Sequence, residues 1–226
     1  MFKPRGKTKL KWSPGFAYAI GLIASDGTLN KDGRHIYIKS ADKELIENFK
    51  KALNTKNKIG RVNERVKRTH FYLNLSDTLF YKFLNQIGLQ PTKSKTIQSV
   101  EIPEKYFSDF LRGLFDGDGS FYSYYDKRWP KSFGFKLSFA SASPNFISWL
   151  KEKLTELYNV KGYFHKGDGV MNLEYTKGDS KKLFYAMYYS RNILFLKRKY
   201  FKIKAAIKKD ETLGLEHLQK PRAGVA

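Results

Sequence analysis

The first half of the chain switches between helical and alternating hydrophobic spacing, and each switch marks a predicted element. Helical spacing begins after Ser13 and Pro14, a pair typical of an N-cap and a first helical position. Alternation returns later, where Phe71, Leu73 and Leu75 are predicted to point inward. The predicted order is helix, two strands, helix, hairpin and short helix, over residues 14–25, 28–40, 42–53, 58–76 and 77–87.

The second half repeats this order. Alternating residues 133–139 predict one apolar strand face, a basic helix is predicted near residues 197–209, and the tail from Gly214 is predicted to fray. Residues 89–102 have no strong period and are interpreted as a linker. The chain is therefore predicted to have two domains, over residues 1–88 and 103–226.

A direct repeat accounts for the shared order. The segment FAYAIGLIASDGTL, residues 16–29, aligns with FSDFLRGLFDGDGSF, residues 107–121, on a common Gly-Leu-x-x-x-Asp-Gly core. Asp26 and Asp118 are equivalent in this alignment, at a period of 92 residues. Self-similarity at this spacing indicates two homologous halves.

The charge balance indicates a polyanionic partner. The 226 residues include 43 Lys and Arg against 21 Asp and Glu, a formal charge of +22, which favours nucleic acid. A solvated lysine-rich surface is the alternative. The absence of Cys excludes disulfides and a thiolate zinc site. No signal peptide or membrane-spanning run is evident, so we expect no membrane partner and an intracellular location, in a prokaryotic cytoplasm or an organelle.

Small residues recur at helical spacing in both copies of the repeat, at Gly21 and Ser25 and at Gly113 and Gly117. Glycine inside a helix costs about 1 kcal/mol relative to alanine, so this pattern needs a packing reason. Two helices can approach backbone to backbone along such a stripe. We therefore predict that the two helices pair and form the interface of a pseudo-dimer.

This pairing would bring Asp26 and Asp118 together. Two carboxylates at helix C-termini repel each other and face the negative ends of the helix dipoles. A divalent cation would remove this cost and could support phosphodiester hydrolysis. The alternative is that each Asp-Gly pair only ends a helix in a turn. Asp116 aligns with Ala24, so it is interpreted as a hydrogen-bonding or surface residue and not as a symmetric catalytic group.

The segments AIGLIASDG and LRGLFDGDG resemble the two signature helices of single-chain LAGLIDADG homing endonucleases, over residues 14 to about 209. The resemblance implies an α+β fold of two pseudo-symmetric αββαββα subdomains, packed through these helices, with antiparallel sheets forming a saddle over DNA. It also implies that Asp26 and Asp118 bind Mg²⁺ or Mn²⁺. The backbone carbonyl oxygens of Ser25 and Gly117 would be secondary ligands.

The resemblance further implies one basic residue from each half near the scissile phosphates. The candidates are Lys199 and then Lys197 in the second half, and Lys95 or Lys93 in the first half. Ordinary solvated charge is the alternative for these lysines. Ser40 and Ser141 stand where the family often has a polar Gln at a strand end, and this departure leaves the positioning of water open.

Polar residues at alternate strand positions are predicted to face DNA, although any half-exposed sheet alternates in this way. The first-half candidates in the first hairpin are Arg34, Tyr37 and Lys39. In the second hairpin, two sets are both predicted to point outward: Arg61, Asn63 and Arg65 in one arm, and His70, Tyr72 and Asn74 in the other. The second-half candidates are Lys136 and Ser138 on a strand, and Tyr122, Tyr124, Lys127 and Arg128 in a connecting loop. Arg and Asn suit base edges, whereas Lys suits phosphates.

These patterns favour a monomeric, magnesium-dependent endonuclease, encoded in an intron, that cuts both strands of a long asymmetric site and leaves short 3′ overhangs as the family does. An RNA-binding intron maturase on the same fold, with host intron RNA as its partner, is the main alternative. A transcriptional regulator without cleavage is the third. Retention of both Asp26 and Asp118 favours the nuclease, because RNA binding alone does not need them.

Overall fold

The computed structural model describes residues 6–63, 69–129 and 132–219, with side chains up to residue 213. The helices are α1 (Pro14–Asp26), α2 (Lys43–Ala52), α3 (Thr78–Gln86), α4 (Lys93–Thr96), α5 (Phe107–Asp118), α6 (Pro144–Tyr158), α7 (Lys177–Met187) and α8 (Lys197–Gln219). The strands are β1 (Gly27–Leu29), β2 (His35–Ser40), β3 (Gly60–Asn63), β4 (Thr69–Ser76), β5 (Ser120–Tyr125), β6 (Phe133–Ser141), β7 (Tyr163–Lys166) and β8 (Met171–Tyr175).

The strands form two four-stranded antiparallel sheets, in the orders β1-β2-β4-β3 and β5-β6-β8-β7. Each half therefore has the order αββαββα, and α8 follows the second half. The predicted α+β fold with two pseudo-symmetric subdomains is confirmed. Within the described residues, no helix combines the length and apolar character needed to cross a membrane.

Side-chain caps fix where the main helices begin. The Ser13 Oγ accepts a hydrogen bond from the Phe16 N–H at 3.2 Å, and Pro14 occupies the first turn of α1, as predicted. Asp42, Asp77 and Ser143 cap α2, α3 and α6 in the same way. These polar side chains satisfy amide groups that the first helical turn leaves unpaired.

The pair α1 and α5 forms the centre of the molecule. A Cβ atom on Gly21 would overlap the carbonyl oxygen of Phe110 and the amide nitrogen of Leu114. A Cβ atom on Gly113 would overlap the carbonyl oxygen of Tyr18. The two backbones are therefore in direct contact, as the small-residue stripe predicts, and one continuous apolar cluster extends through both halves.

The connection between the halves is an ordered part of the core. It contains α4, and the side chains of Leu89, Ile97 and Val100 are buried. The Ser143 hydroxyl, at the start of α6, donates a hydrogen bond to the carbonyl oxygen of Ile97. At the other end of the chain, α8 continues to Gln219, so the predicted fraying from Gly214 is wrong for the backbone up to that residue.

Candidate metal and nucleic-acid site

Asp26 and Asp118 are the last residues of α1 and α5, and the crossing of these helices places their C-terminal ends together. Gly117 packs so closely on the other helix that a Cβ atom would overlap the Ser25 hydroxyl and the Asp26 Oδ2. The Ser25 hydroxyl also donates a hydrogen bond to the Asp26 Oδ2 at 3.2 Å. The structure thus brings together in one site the two carboxylates and the two residues, Ser25 and Gly117, whose carbonyl oxygens are predicted as secondary metal ligands.

Burial makes both carboxylates difficult to ionise. Desolvation, followed by the negative charge of Asp118, raises the pKa of Asp26 to about 6. Desolvation also raises the pKa of Asp118, against the opposing positive charges of Lys93 and Lys199. Two partly desolvated carboxylates at helix C-termini are unfavourable without a compensating cation.

Two buried lysines close the site, one from the connection between the halves and one from α8. Lys93 in α4 is 5% exposed, and its ammonium donates hydrogen bonds to the carbonyl oxygens of Ala24 at 2.9 Å and Ser25 at 3.4 Å. Lys199 in α8 is 9% exposed, and its ammonium donates to the Gly117 carbonyl at 2.9 Å. Each lysine therefore caps the C-terminal end of one central helix, where positive charge is favourable.

The local environment separates the four lysine candidates. Burial lowers the pKa of Lys93 and of Lys199 to about 8. Lys95 is exposed, and Lys197 is 71% exposed with its ammonium 3.8 Å from Glu44 in α2. Of these four lysines, Lys93 and Lys199 are the two whose hydrogen bonds place them beside the carboxylates in the described structure.

The donor groups suit a hard divalent cation. Two carboxylates and the carbonyl oxygens of Ser25 and Gly117 provide oxygen ligands of the kind that Mg²⁺ and Mn²⁺ prefer. Among the described residues no group of three or more His, Cys, Asp or Glu could hold a metal ion. Mg²⁺ is usually held by one or two carboxylates together with water and substrate phosphate. A cavity of about 210 Å³ lies on one side of this site, where Ser25, Lys93, Asp118 and Ser141 are among its lining residues and Asp26 is not.

Ser40 and Ser141 occupy equivalent positions at the ends of β2 and β6. Each hydroxyl accepts a hydrogen bond at 3.1 Å from the amide two residues later, Asp42 or Ser143. Both serines therefore shape the turn into the following helix. Only Ser141 also lines the cavity beside Asp118.

The first sheet divides the predicted DNA contacts between its two faces. Register pairs Lys39 with Tyr72 and Tyr37 with Asn74, so these residues share the outer face with His70. It pairs Arg61 with Phe71, so Arg61 and Asn63 lie on the opposite, core-side face, where both are exposed. The expectation that both sets point outward is therefore wrong. Arg34 precedes β2 and is exposed, and Arg65 lies outside the described residues.

The outer face of the second sheet carries tyrosines and an internally paired charge. Tyr122 and Tyr124 lie within β5, about 40% exposed, and not in a loop as predicted. Lys136 stands opposite Tyr122, and its ammonium is 2.8 Å from the Glu174 carboxylate on β8. Ser138 is buried and shares a hydrogen bond with Ser120 at 2.7 Å. Lys127 and Arg128 lie in the exposed β5–β6 connection.

Both halves are similar to a known protein family. The model of the LAGLIDADG-like domain matches residues 14–88 and 107–189, beginning at the first residues of α1 and α5. The chain belongs to the LAGLIDADG-like domain family. The uncharacterized protein MJ0398 of Methanocaldococcus jannaschii is 31% identical over 126 residues, which cover 51% of this chain and 44% of that protein. The chain thus spans less than half the length of this curated relative.

Solved LAGLIDADG structures share the fold of this chain. The LAGLIDADG homing endonuclease I-GzeII in complex with its DNA target has a TM-score of 0.60 and 15% identity, covering 93% of this chain and 94% of that chain. I-DmoI in complex with DNA and Mn has a TM-score of 0.51 and 20% identity, covering 79% and 98%. Full-length DUF199/WhiA from Thermatoga maritima has a TM-score of 0.58 and 14% identity, covering 98% and 69%.

This LAGLIDADG-like chain also carries buried charges in α5 that sequence reasoning missed. Arg112 is 1% exposed, and its guanidinium pairs with Asp109 at 2.6 Å and donates to the carbonyl oxygens of Leu194 and Met187 at 2.8 Å each. Asp116 is fully buried and accepts hydrogen bonds from the Tyr18 hydroxyl and the Leu196 N–H, so of its two interpretations the hydrogen-bonding residue is confirmed and the surface residue is wrong. The sequence does contain a signal for this cluster. Asp109, Arg112 and Asp116 stand at positions i, i+3 and i+7, which places the three charged side chains on one face of the helix.

Proposed function

We propose that this chain is a site-specific DNA endonuclease that hydrolyses both strands of a long asymmetric duplex with Mg²⁺ or Mn²⁺. The observation that carries the proposal is the meeting of Asp26 and Asp118 at the ends of the two central helices. Family membership and the DNA-bound proteins of the same fold support a DNA partner. The structure with Mn supports divalent metal chemistry in proteins of this fold.

The site residues divide the work of hydrolysis. Asp26, Asp118 and the adjacent carbonyl oxygens would hold the cation, which would activate water and stabilise charge on the leaving oxygen. Lys93 and Lys199 place positive charge beside the carboxylates, where it would favour a phosphate and the charge that develops on it. The internal pseudo-symmetry offers one lysine for each scissile phosphate. We further propose that the enzyme acts as a monomer, is encoded in an intron and leaves short 3′ overhangs.

Target selection followed by cleavage tests this proposal. The full chain is used to select duplexes from a random library in Ca²⁺, and the bound sequences are then incubated with Mg²⁺, Mn²⁺ or EDTA. We expect cleavage of both strands at one position with Mg²⁺ or Mn²⁺ and none with EDTA. Cleavage in EDTA would overturn the metal assignment. Tight binding without cleavage in either metal would overturn the nuclease, and preference for structured intron RNA over duplex DNA would support the maturase.

The Lys136–Glu174 ion pair gives a separate prediction about the DNA interface. Replacing Glu174 with glutamine releases the Lys136 ammonium on the outer sheet face, where it can contact a phosphate. One added phosphate contact should steepen the plot of log binding constant against log salt by about 0.9 and tighten binding at low salt. Fluorescence anisotropy on the selected duplex measures both quantities.

Glu152→Gln is the matched control, because it removes the same charge from an exposed position of α6. We expect it to leave the salt dependence unchanged. An equal change of slope in both variants would mean that only net charge matters, and it would contradict placement of DNA on this sheet face.

A further inference from the structure

Asp116 forms a junction between the two halves and the last helix. Its Oδ2 accepts a hydrogen bond from the Tyr18 hydroxyl in α1 at 2.7 Å and another from the Leu196 backbone N–H at 2.7 Å. The Tyr188 hydroxyl approaches its Oδ1 at 3.4 Å. A fully buried carboxylate is costly unless such donors satisfy it, so its partners are held closely in place.

Leu196 immediately precedes α8. Its carbonyl oxygen accepts the backbone N–H groups of Lys199 and Tyr200, both at 3.1 Å. Asp116 therefore holds the first turn of α8 from its N-terminal side. Lys199 extends from this turn back to α5, where its ammonium donates to the carbonyl oxygens of Phe115 at 2.6 Å and Gly117 at 2.9 Å. Two contacts therefore attach the start of α8 to α5. The Asp116 carboxylate of α5 binds the Leu196 N–H, and the Lys199 ammonium of α8 binds carbonyl oxygens of α5.

The described residues of the first half show no equivalent arrangement. The position equivalent to Asp116 is Ala24, and the carbonyl oxygen of Ala24 accepts a hydrogen bond from Lys93. Lys93 lies in α4, and because position 24 is alanine, no carboxylate at that position can bind the turn that contains Lys93. A change at Asp116 should therefore affect the lysine of the second half and leave the lysine of the first half in place.

We propose that Asp116 is a positioning residue: by holding the Leu196 amide it places the Lys199 ammonium at the Gly117 carbonyl beside Asp118. The placement itself rests only on the contacts above. Its consequence for catalysis rests on the proposed function, in which each lysine serves one scissile phosphate. Loss of the Asp116 carboxylate should then slow cleavage of one DNA strand more than the other.

Lysine labelling followed by mass spectrometry tests the placement without any requirement for metal, DNA or cleavage. In the full-length protein in EDTA, Lys199 and Lys93 should both react slowly with an amine-specific reagent. In Asp116→Ala we expect labelling of Lys199 to rise at least tenfold while labelling of Lys93 stays unchanged. Asp116→Asn, whose amide oxygen can still accept from Leu196, should restore most of the protection. Tyr18→Phe, which keeps the Leu196 contact, should give a smaller rise confined to Lys199.

Two results would overturn the placement. One is unchanged protection of Lys199 in Asp116→Ala, and the other is equal exposure of Lys93 and Lys199, which would indicate general loosening. If Asp116→Ala does not fold, Tyr18→Phe tests the placement instead. Increased labelling of Lys199 with unchanged labelling of Lys93 would support it, and equal labelling changes at both lysines would overturn it. Thermal unfolding of each variant ensures that labelling is measured on folded protein.

Strand-specific nicking tests the catalytic consequence. The substrate is a supercoiled plasmid that carries the selected target. Asp116→Ala and Lys199→Ala should both accumulate nicked circles in which the same strand remains intact. Lys93→Ala should accumulate nicked circles in which the other strand remains intact. Equal slowing of both strands would overturn this consequence. A wild-type protein that cuts neither strand would refute the proposed function, and the labelling result would still decide the role of Asp116.

Discussion

Replacing Asp118 with asparagine is expected to reduce DNA cleavage by roughly 10²- to 10³-fold or more, because a metal ion contributes several kcal/mol of transition-state stabilisation and each 1.4 kcal/mol is worth a factor of ten. Asp26→Asn should have an effect of the same order, since the two carboxylates hold equivalent positions at the ends of α1 and α5. Single-turnover cleavage of the selected duplex measures the loss.

Measurements other than cleavage separate this effect from misfolding. In EDTA, either substitution removes the repulsion between the two carboxylates, so the variants should unfold at the same or a higher temperature than the wild type. Added Mn²⁺ should raise the unfolding temperature of the wild type by more than that of either variant. Glu152→Gln, which removes a carboxylate charge far along the sequence in α6, should retain full cleavage. Full activity in both aspartate variants would contradict the metal site.

Adding a single methyl group at Gly113 is expected to destabilise the protein by about 3 kcal/mol or more. The new Cβ atom would meet the Tyr18 carbonyl oxygen, which belongs to the backbone of α1 and cannot rotate away. Gly21→Ala should cost a similar amount, because its Cβ atom meets backbone atoms of Phe110 and Leu114. In both cases the two central helices must separate and lose packing. Equilibrium denaturation gives the free energy of unfolding.

Gly178→Ala provides the matched control within α7. No atom lies within 4 Å of the position that its Cβ would occupy, so the substitution should be neutral or stabilise the protein by about 0.5–1 kcal/mol. If Gly178→Ala lowered the free energy of unfolding as much as Gly113→Ala, the effect would be a general one of replacing glycine in helices. That result would then contradict the close contact between α1 and α5.

The order of elements and the paired aspartates could be predicted from sequence because both depend on local pattern and on a repeat. Ser13 and Pro14 mark the start of α1 through chemistry within one helical turn. Asp26 and Asp118 could be paired because the same small residues precede each of them. The sequence stripe also predicted the contact between Gly21 and Gly113, since only glycine permits that approach.

Features whose distant partners are not marked by the repeat could not be predicted. The partners of Asp116 lie 98 residues before it, at Tyr18, and 80 residues after it, at Leu196. Lys93 and Lys95 have the same local chemistry, and only the packing of α4 on the end of α1 distinguishes them. The faces of β3 depend on its register with β4, which the length and shape of the intervening turn determine.

The buried position of Lys93 changes where this protein can be divided and recombined. A boundary after residue 88 would assign α4 to a linker, yet α4 supplies the ammonium that caps α1. A chimera that exchanges halves with a relative should therefore carry the native chain through Thr96 together with α1. A boundary at residue 88 would join one protein's lysine to another protein's helix end. Under the proposed function, this mismatch would slow cleavage of one DNA strand more than the other.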